Sequence, residues 1–165
     1  MTDEALWGSH LPALMACLTD TDGPVIEFGI GHFSTPVLHA VCETRGRELF
    51  SLEQNPEWFH QFEGKFSTLR HQFCLGEYLE SIPKLPEGFS VAFIDHSPGG
   101  KSRVDVFSAM IGQSSLVVVH DYHLDNEEAI APLLTGLQTH VTRMYGPPTL
   151  VAAALYRIPP GILKL

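Results

Sequence analysis

Basic residues are scarce in this chain. Ten Lys and Arg stand against nineteen Asp and Glu, a formal charge of −9, and the ten are scattered rather than gathered into a stripe. Such a surface repels phosphate backbones, which argues against nucleic acid as a partner. Long apolar runs are also missing: no stretch approaches the ~20 uninterrupted apolar residues of a membrane span. The opening "MTDEALWGSH" lacks the basic start and apolar run of an export signal. Together these lacks predict a cytoplasmic protein with no membrane partner. Cysteine is limited to Cys17, Cys42 and Cys74, an odd set among apolar neighbours. That set suits buried thiols better than a disulfide framework or a thiolate zinc site.

What is present is an alternation. The 165 residues, 44% of them apolar, fit one domain (1–165) able to bury roughly 70% of the unfolded chain's surface. Short apolar runs alternate with segments of helical period, the pattern of an α/β domain on a mostly parallel sheet. Strands are predicted at "PVIEF", "ELFSLE", "HQFCL", "FSVAFID", "SLVVVHD", "HVTRMY" and "TLVAAALYRI". Helices are predicted over Leu11 to Leu18, from a Thr35 cap with Pro36 to Gly46, from an Asn55 cap with Pro56 onward, through Val104 to Ile111, and over Asn126 to Leu137. A short helix or turn is expected at Tyr78 to Ile82. The "GPP" between the last two strands is too short for a parallel crossover. The expected fold is therefore a Rossmann-like, doubly wound, seven-stranded sheet with one antiparallel strand near its edge and helices on both faces.

In such sheets ligands bind beyond the carboxyl ends of the strands, where the strand order reverses. Strand one ends in Glu27-Phe28-Gly29-Ile30-Gly31, strand two in Glu53, strand three in Gly76-Glu77, strand four in Asp95-His96 and strand five in His120-Asp121. Every end carries a carboxylate. A bare G-x-G marks many turns, and Ser34 stands where the dinucleotide fingerprint has its third glycine. Its place at the first strand-helix junction, with an acidic residue at the next strand end to accept from a ribose, favours a nucleotide-type cofactor. Glu27 is poorly placed beside a pyrophosphate. S-adenosylmethionine, with its ammonium, sulfonium and ribose, fits these carboxylates better than NAD.

The stretches "VIEFGIGHFST", "LFSLEQN", "FCLGEYLESIP", "VAFIDHSPGG" and "LVVVHDYH" resemble, in order and spacing, the motifs of class I S-adenosylmethionine-dependent methyltransferases, in particular the small-molecule O-methyltransferase-like group. Phe33 stands where the family's E/D-x-G-x-G-x-G has its last glycine. The resemblance implies that Gly29 and Gly31 approach the cofactor's amino-acid portion, that Glu53 accepts from the ribose hydroxyls, and that Glu77 or its backbone neighbour faces the adenine. It implies that Asp95 borders methyl donor and substrate. In metal-dependent catechol-type relatives, acidic residues after strands four and five hold a divalent ion; Asp95 and Asp121 stand in those places, with Tyr122 where an Asn is usual.

Four of the nine histidines, His32, His96, His120 and His123, fall at the predicted sheet edge. With carboxylates they could ligate a transition metal, serve as a general base toward a hydroxyl, or be polar edge residues. The run Trp58, Phe59, Phe62, Phe66 reads as core at helical period, and Lys101 and Arg103 as a solvated helix start. The expected activity is methyl transfer to a small-molecule hydroxyl, with Asp95, His96 and His120 in catalytic roles. Little sequence remains for a lid, so a second subunit is expected to complete an acceptor site that is not open. The rival readings are a non-catalytic binding module of the same fold and an NAD-dependent oxidoreductase.

Overall fold

Alternate residues of a strand point to opposite faces, and here both faces are apolar. Val25, Leu49, Val91, Phe93, Leu116 and Val118 pack into one cluster, while Ile26, Phe50, Ala92, Ile94, Val117 and Val119 pack into another. A sheet buried on both sides needs helices on both sides. The computed structural model describes residues 8–123, 125–143, 146–154 and 156–164. Within these ranges seven strands form one sheet: β1 (Val25–Phe28), β2 (Leu49–Glu53), β3 (His71–Leu75), β4 (Phe89–Ile94), β5 (Ser114–Val119), β6 (Gln138–Thr142) and β7 (Thr149–Ala153). Their order is β3-β2-β1-β4-β5-β7-β6. All neighbouring pairs are parallel except those made by β7, which is antiparallel to both β5 and β6. The single reversed strand lies one place in from the edge, as the short "GPP" connection requires.

The first face is covered by α1 (Leu11–Asp20) and α2 (Ser34–Arg45), which contribute Leu14, Leu18, Leu38 and Cys42. On the second lie α4 (Tyr78–Ser81), α5 (Lys101–Met110) and α6 (Asp125–Ile130), contributing Tyr78, Phe107, Met110 and Ile130. Helix α3 (Pro56–Phe66) forms a smaller cluster in which Phe59 and Phe62 meet Ile30. Its start is as expected: the Asn55 side chain accepts from the Glu57 and Trp58 amides, and Pro56 follows.

Two helix boundaries differ from expectation. Helix α2 begins at Ser34 behind Phe33, so Thr35 is not its cap; the Thr35 hydroxyl is drawn instead to the buried Glu27 carboxylate. The helix expected to reach Leu137 stops at Ile130 and continues as a 3₁₀ turn over Ala131–Leu134, because Pro132 has no N–H to donate. Residues 144–145 of "HVTRMY" and 155 of "TLVAAALYRI" lie outside the described residues, as do the first seven, part of the expected lid sequence.

The strand order reverses between β1 and β4, where Phe28 pairs with Ile94. Gly29 leaves β1 at φ +89°, and a Cβ there would lie 2.6 Å from the His96 Cα. Only glycine lets the two crossing loops approach so closely.

Candidate active site

Glu27 shares its side of β1 with Val25, which puts it beneath α2 rather than at the sheet edge. Its carboxylate is fully buried and accepts from the hydroxyls of Ser34 (2.6 Å), Thr35 (3.0 Å to each oxygen) and Ser51 (2.6 Å). Desolvation pushes its pKa up to about 7 against the pull of those hydroxyls. Lining neither cavity at the strand ends, Glu27 is not placed to touch a cofactor. It ties β1 to β2 and to the first turn of α2, and so fixes the glycine loop. The period-2 alternation of β1 already carried this signal.

Glu53 is at the edge. One of its oxygens accepts from the Ile30 amide (3.1 Å) and the other from the amides of Gln54 (2.8 Å) and Asn55 (2.9 Å). The carboxylate is thus aimed by backbone alone into a cavity near 1000 Å³. Gly29, Ile30, Asn55, Glu57, Trp58, Asp95, His96 and Ser97 also line it. Three carboxylates border this space, with no Lys or Arg among its lining residues. Glu77 does not reach it: it is exposed and accepts from the Gln54 amide group at 2.9 Å, beside a separate cavity under α4.

A second cavity, near 540 Å³, adjoins the first; Ile30, Trp58, Asp95 and Ser97 line both. Its other walls include Gly31, His32, Phe33, Arg103, Asp121 and two buried histidines, His10 and His120. Trp58 therefore departs from the core role its periodicity predicted. Its indole N–H donates to the Ile30 carbonyl, which places the ring at the junction of the two spaces.

Asp95 sits at that junction. Its Oδ1 is 3.3 Å from an Arg103 nitrogen and 3.2 Å from His120 Nδ1. Arg103 was expected in solvent but is 4% exposed. Besides Asp95 it donates to the carbonyls of His96 and His120, tying the ends of β4 and β5 together. Nothing in the local sequence marks it. Asp121, held at φ +53°, has an oxygen 3.7 Å from the same guanidinium. The pair expected to hold a divalent ion, Asp95 and Asp121, thus already shares a cation, whose charge opposes a second one between them.

The remaining histidines separate. The His96 ring is buried against Tyr78, centroids 4.3 Å apart, with Nε2 3.0 Å from the Ser102 hydroxyl. Desolvation and Arg103 lower its pKa to about 4. His32 is exposed at the mouth of the smaller cavity, edge-on to Trp58, and His123 lines neither cavity. His10, which sequence reasoning passed over, packs on Phe93 and edge-on to His120. Desolvation and His120 lower its pKa to about 4. The cysteines are free, and burial raises the thiol of Cys42 to about 11. Among the described residues no helix is long and apolar enough to cross a membrane.

No family model matches the chain, and no curated protein matches it. Solved structures do match. A precorrin-6y C5,15-methyltransferase from Geobacter metallireducens aligns at TM-score 0.66 and 16% identity, over 94% of this chain and 92% of that one. An O-methyltransferase from Bacillus cereus in complex with SAH aligns at 0.66 and 14%, over 88% and 80%. An SAH-bound methyltransferase of Podospora anserina aligns at 0.63 and 13%, over 88% and 76%. At these identities the likeness is one of fold: the chain has the seven-stranded Rossmann-like fold of the class I S-adenosylmethionine-dependent methyltransferases.

Proposed function

We propose that this chain is an S-adenosylmethionine-dependent methyltransferase acting on a hydroxyl of a small molecule. The observation that carries the reading is the pair of adjoining cavities at the switch point, joined across Ile30, Trp58, Asp95 and Ser97. The larger suits the cofactor. Glu53 is held there as an acceptor with three of about four lone-pair directions filled by backbone, which leaves capacity for a ribose hydroxyl. Three carboxylates without a lining cation favour a sulfonium and ammonium over a pyrophosphate. Phe33, at the place of the family's last glycine, lines only the smaller cavity and leaves the larger one clear.

When bound, the cofactor supplies an already activated methyl group, so the protein's main task is alignment. Asp95, Ser97 and Trp58 define the aperture between donor and acceptor. In the smaller cavity the Ser9 hydroxyl donates to the Pro147 carbonyl at 3.0 Å and lies 3.0 Å from His120 Nε2. The direction of the hydrogen bond between Ser9 and His120 follows the imidazole's tautomer, and His120 Nδ1, buried and 3.2 Å from Asp95 Oδ1, faces that carboxylate rather than the cavity. Asp95, partly exposed and lining both cavities, is the group placed to take the acceptor's hydroxyl proton, with the His120 imidazole orienting its carboxylate. His96 has no such access to the smaller cavity and serves in packing.

Isothermal titration checks the reading. S-adenosylmethionine and S-adenosylhomocysteine should bind more tightly than NAD, and Glu53→Gln should weaken both by about 10- to 100-fold, one or two steps of 1.4 kcal/mol. No heat at millimolar cofactor would remove the proposal. Binding without transfer to a panel of phenols and alcohols would instead make the chain a ligand-binding domain of this fold.

A further inference from the structure

We propose that His39, His71 and Ser51 form a proton relay between solvent and the buried carboxyl group of Glu27. Facing residues of parallel strands share a side of the sheet, and the register sets Glu27 beside Ser51 and Leu49 beside His71. Glu27, Ser51 and His71 therefore stand on the face that α2 covers, and all three are buried. Three polar side chains on so apolar a face cost stability unless each finds a partner. They find one another: Ser51 Oγ is 2.6 Å from Glu27 Oε2 and 2.9 Å from His71 Nε2. His71 Nδ1 in turn meets Nδ1 of His39, on α2, at 3.1 Å. His39 is half-buried, so the chain of four groups runs from water to the interior.

A hydroxyl has one hydrogen to give, and a neutral imidazole has one N–H and one lone pair. With Glu27 ionised, Ser51 donates to the carboxylate, so His71 must donate from Nε2 to Ser51. Its bare Nδ1 then accepts from Nδ1–H of His39, which leaves His39 Nε2 as the open lone pair. Every hydrogen in the chain points toward Glu27. A proton taken from water at His39 Nε2 reverses the chain. The His39 Nδ1–H bond breaks as its proton joins His71 Nδ1, the His71 Nε2–H bond breaks as its proton joins Ser51 Oγ, and the Ser51 hydrogen passes to Glu27 Oε2. One proton enters, the Glu27 charge is removed, and each hydrogen bond persists with donor and acceptor exchanged. Both end states are fully paired, as a stable buried network requires.

The surroundings favour passage over storage of charge. Desolvation, with His39 alongside, lowers the His71 pKa to about 3, so His71 hands a proton on rather than holding it. Its other neighbour is the stacked ring of Phe73, and His39 packs on Phe66 of α3. Besides Ser51, the groups that act on Glu27 are Ser34, Thr35 and Cys42 of α2 and Asp95 beyond β4. The Cys42 thiol stays protonated, and the Asp95 charge favours a neutral Glu27. The incoming proton settles on Oε2, whereas Ser34 donates to Oε1. Thr35 keeps its bond to Oε1 and goes on accepting from the Gly31 amide at 2.9 Å. The glycine loop thus keeps its own hydrogen bonds while Glu27 titrates. The relay does not depend on the methyltransferase reading.

The test uses the full chain, labelled with ¹⁵N in its histidine rings and ¹³C in its carboxyl groups and titrated by NMR from pH 8.5 to pH 5.5 without ligand. Glu27 should titrate in this window. The bare nitrogen of the His71 ring should move from Nδ1 to Nε2 with the same midpoint, and no imidazolium signal should come from His71. Ser51→Ala should leave Glu27 titrating but hold His71 in one tautomer, and Glu27→Gln should abolish the tautomer change. After a pH jump followed by the infrared band of the Glu27 carboxyl, His39→Phe, which keeps a ring packed on Phe66, should slow protonation by about 100-fold or more, because protons must then wait for the fold to open locally. The exposed His60→Gln should change neither readout. Wild-type protein in which His71 keeps one tautomer while Glu27 titrates, or in which Glu27 does not titrate in this window, overturns the relay, as does an unchanged rate in His39→Phe.

Discussion

Glu27 and Asp95 end adjacent strands, yet their surroundings are opposite. Glu27 is sealed from solvent, with both oxygens filled by neutral hydroxyls from β2 and α2. Asp95 is open to two cavities and shares an oxygen between a guanidinium and an imidazole. The difference separates scaffold from chemistry. A carboxylate whose acceptor capacity is used up inside the fold can only position its neighbours. One left partly exposed beside unpaired nitrogens can still bind something.

Removing the cation from the open side gives the largest expected effect. Arg103→Met leaves Asp95 without its buried partner and frees two strand-end carbonyls. It should cost about 3–5 kcal/mol, read as a lower urea midpoint with unchanged m-value. Survival of full stability would show that the guanidinium does not hold the β4 and β5 ends together.

On the sealed side the effect depends on pH. Burial raises the Glu27 pKa to about 7 in the folded protein, above the ~4.3 of an unfolded glutamate. The folded state therefore keeps a proton that the unfolded state has lost. Stability on this account is full below about pH 4 and falls as pH rises to 7, by on the order of 3 kcal/mol. Glu27→Gln should flatten that limb, so the variant gains on the wild type between pH 5 and pH 8. Parallel stability curves over that range would place the Glu27 charge elsewhere than in the interior.

Trp58→Phe gives the smallest change and bears on the boundary between the two regions. It removes the indole bond to the Ile30 carbonyl, worth about 1 kcal/mol. It should loosen the glycine loop enough to raise the Kd for S-adenosylhomocysteine a few-fold by titration, with the melting temperature lowered by a few degrees. An unchanged Kd would mean that the hydroxyl cage of Glu27 fixes the loop without help from α3.

Much of this was legible in the residues. The seven strands, the Asn55 cap, the reversed strand behind "GPP" and the carboxylates at the strand ends follow from alternation, capping and turn chemistry. These act over a few residues. Glu53 was singled out by its distance from the glycine turn, and the structure cages it in backbone amides on the wall of the larger cavity; its contact with a ribose belongs to the proposal. Glu27 was misplaced, because its acidity was given more weight than its parity with Val25 along β1. Arg103 and His10 were missed for a different reason. Each looks ordinary in its own segment and acquires partners only when β4, β5 and the N-terminal turn meet.

The sequence by itself determined the architecture, because helical and strand periods are set by local sterics and by which face must leave water. Only the tertiary structure decided which carboxylate is sealed and which opens onto the cavities. Ser9 and His120 lie 111 residues apart, and Glu27 and Ser51 lie 24 apart. Such pairings depend on strand order and on desolvation, which no local pattern encodes.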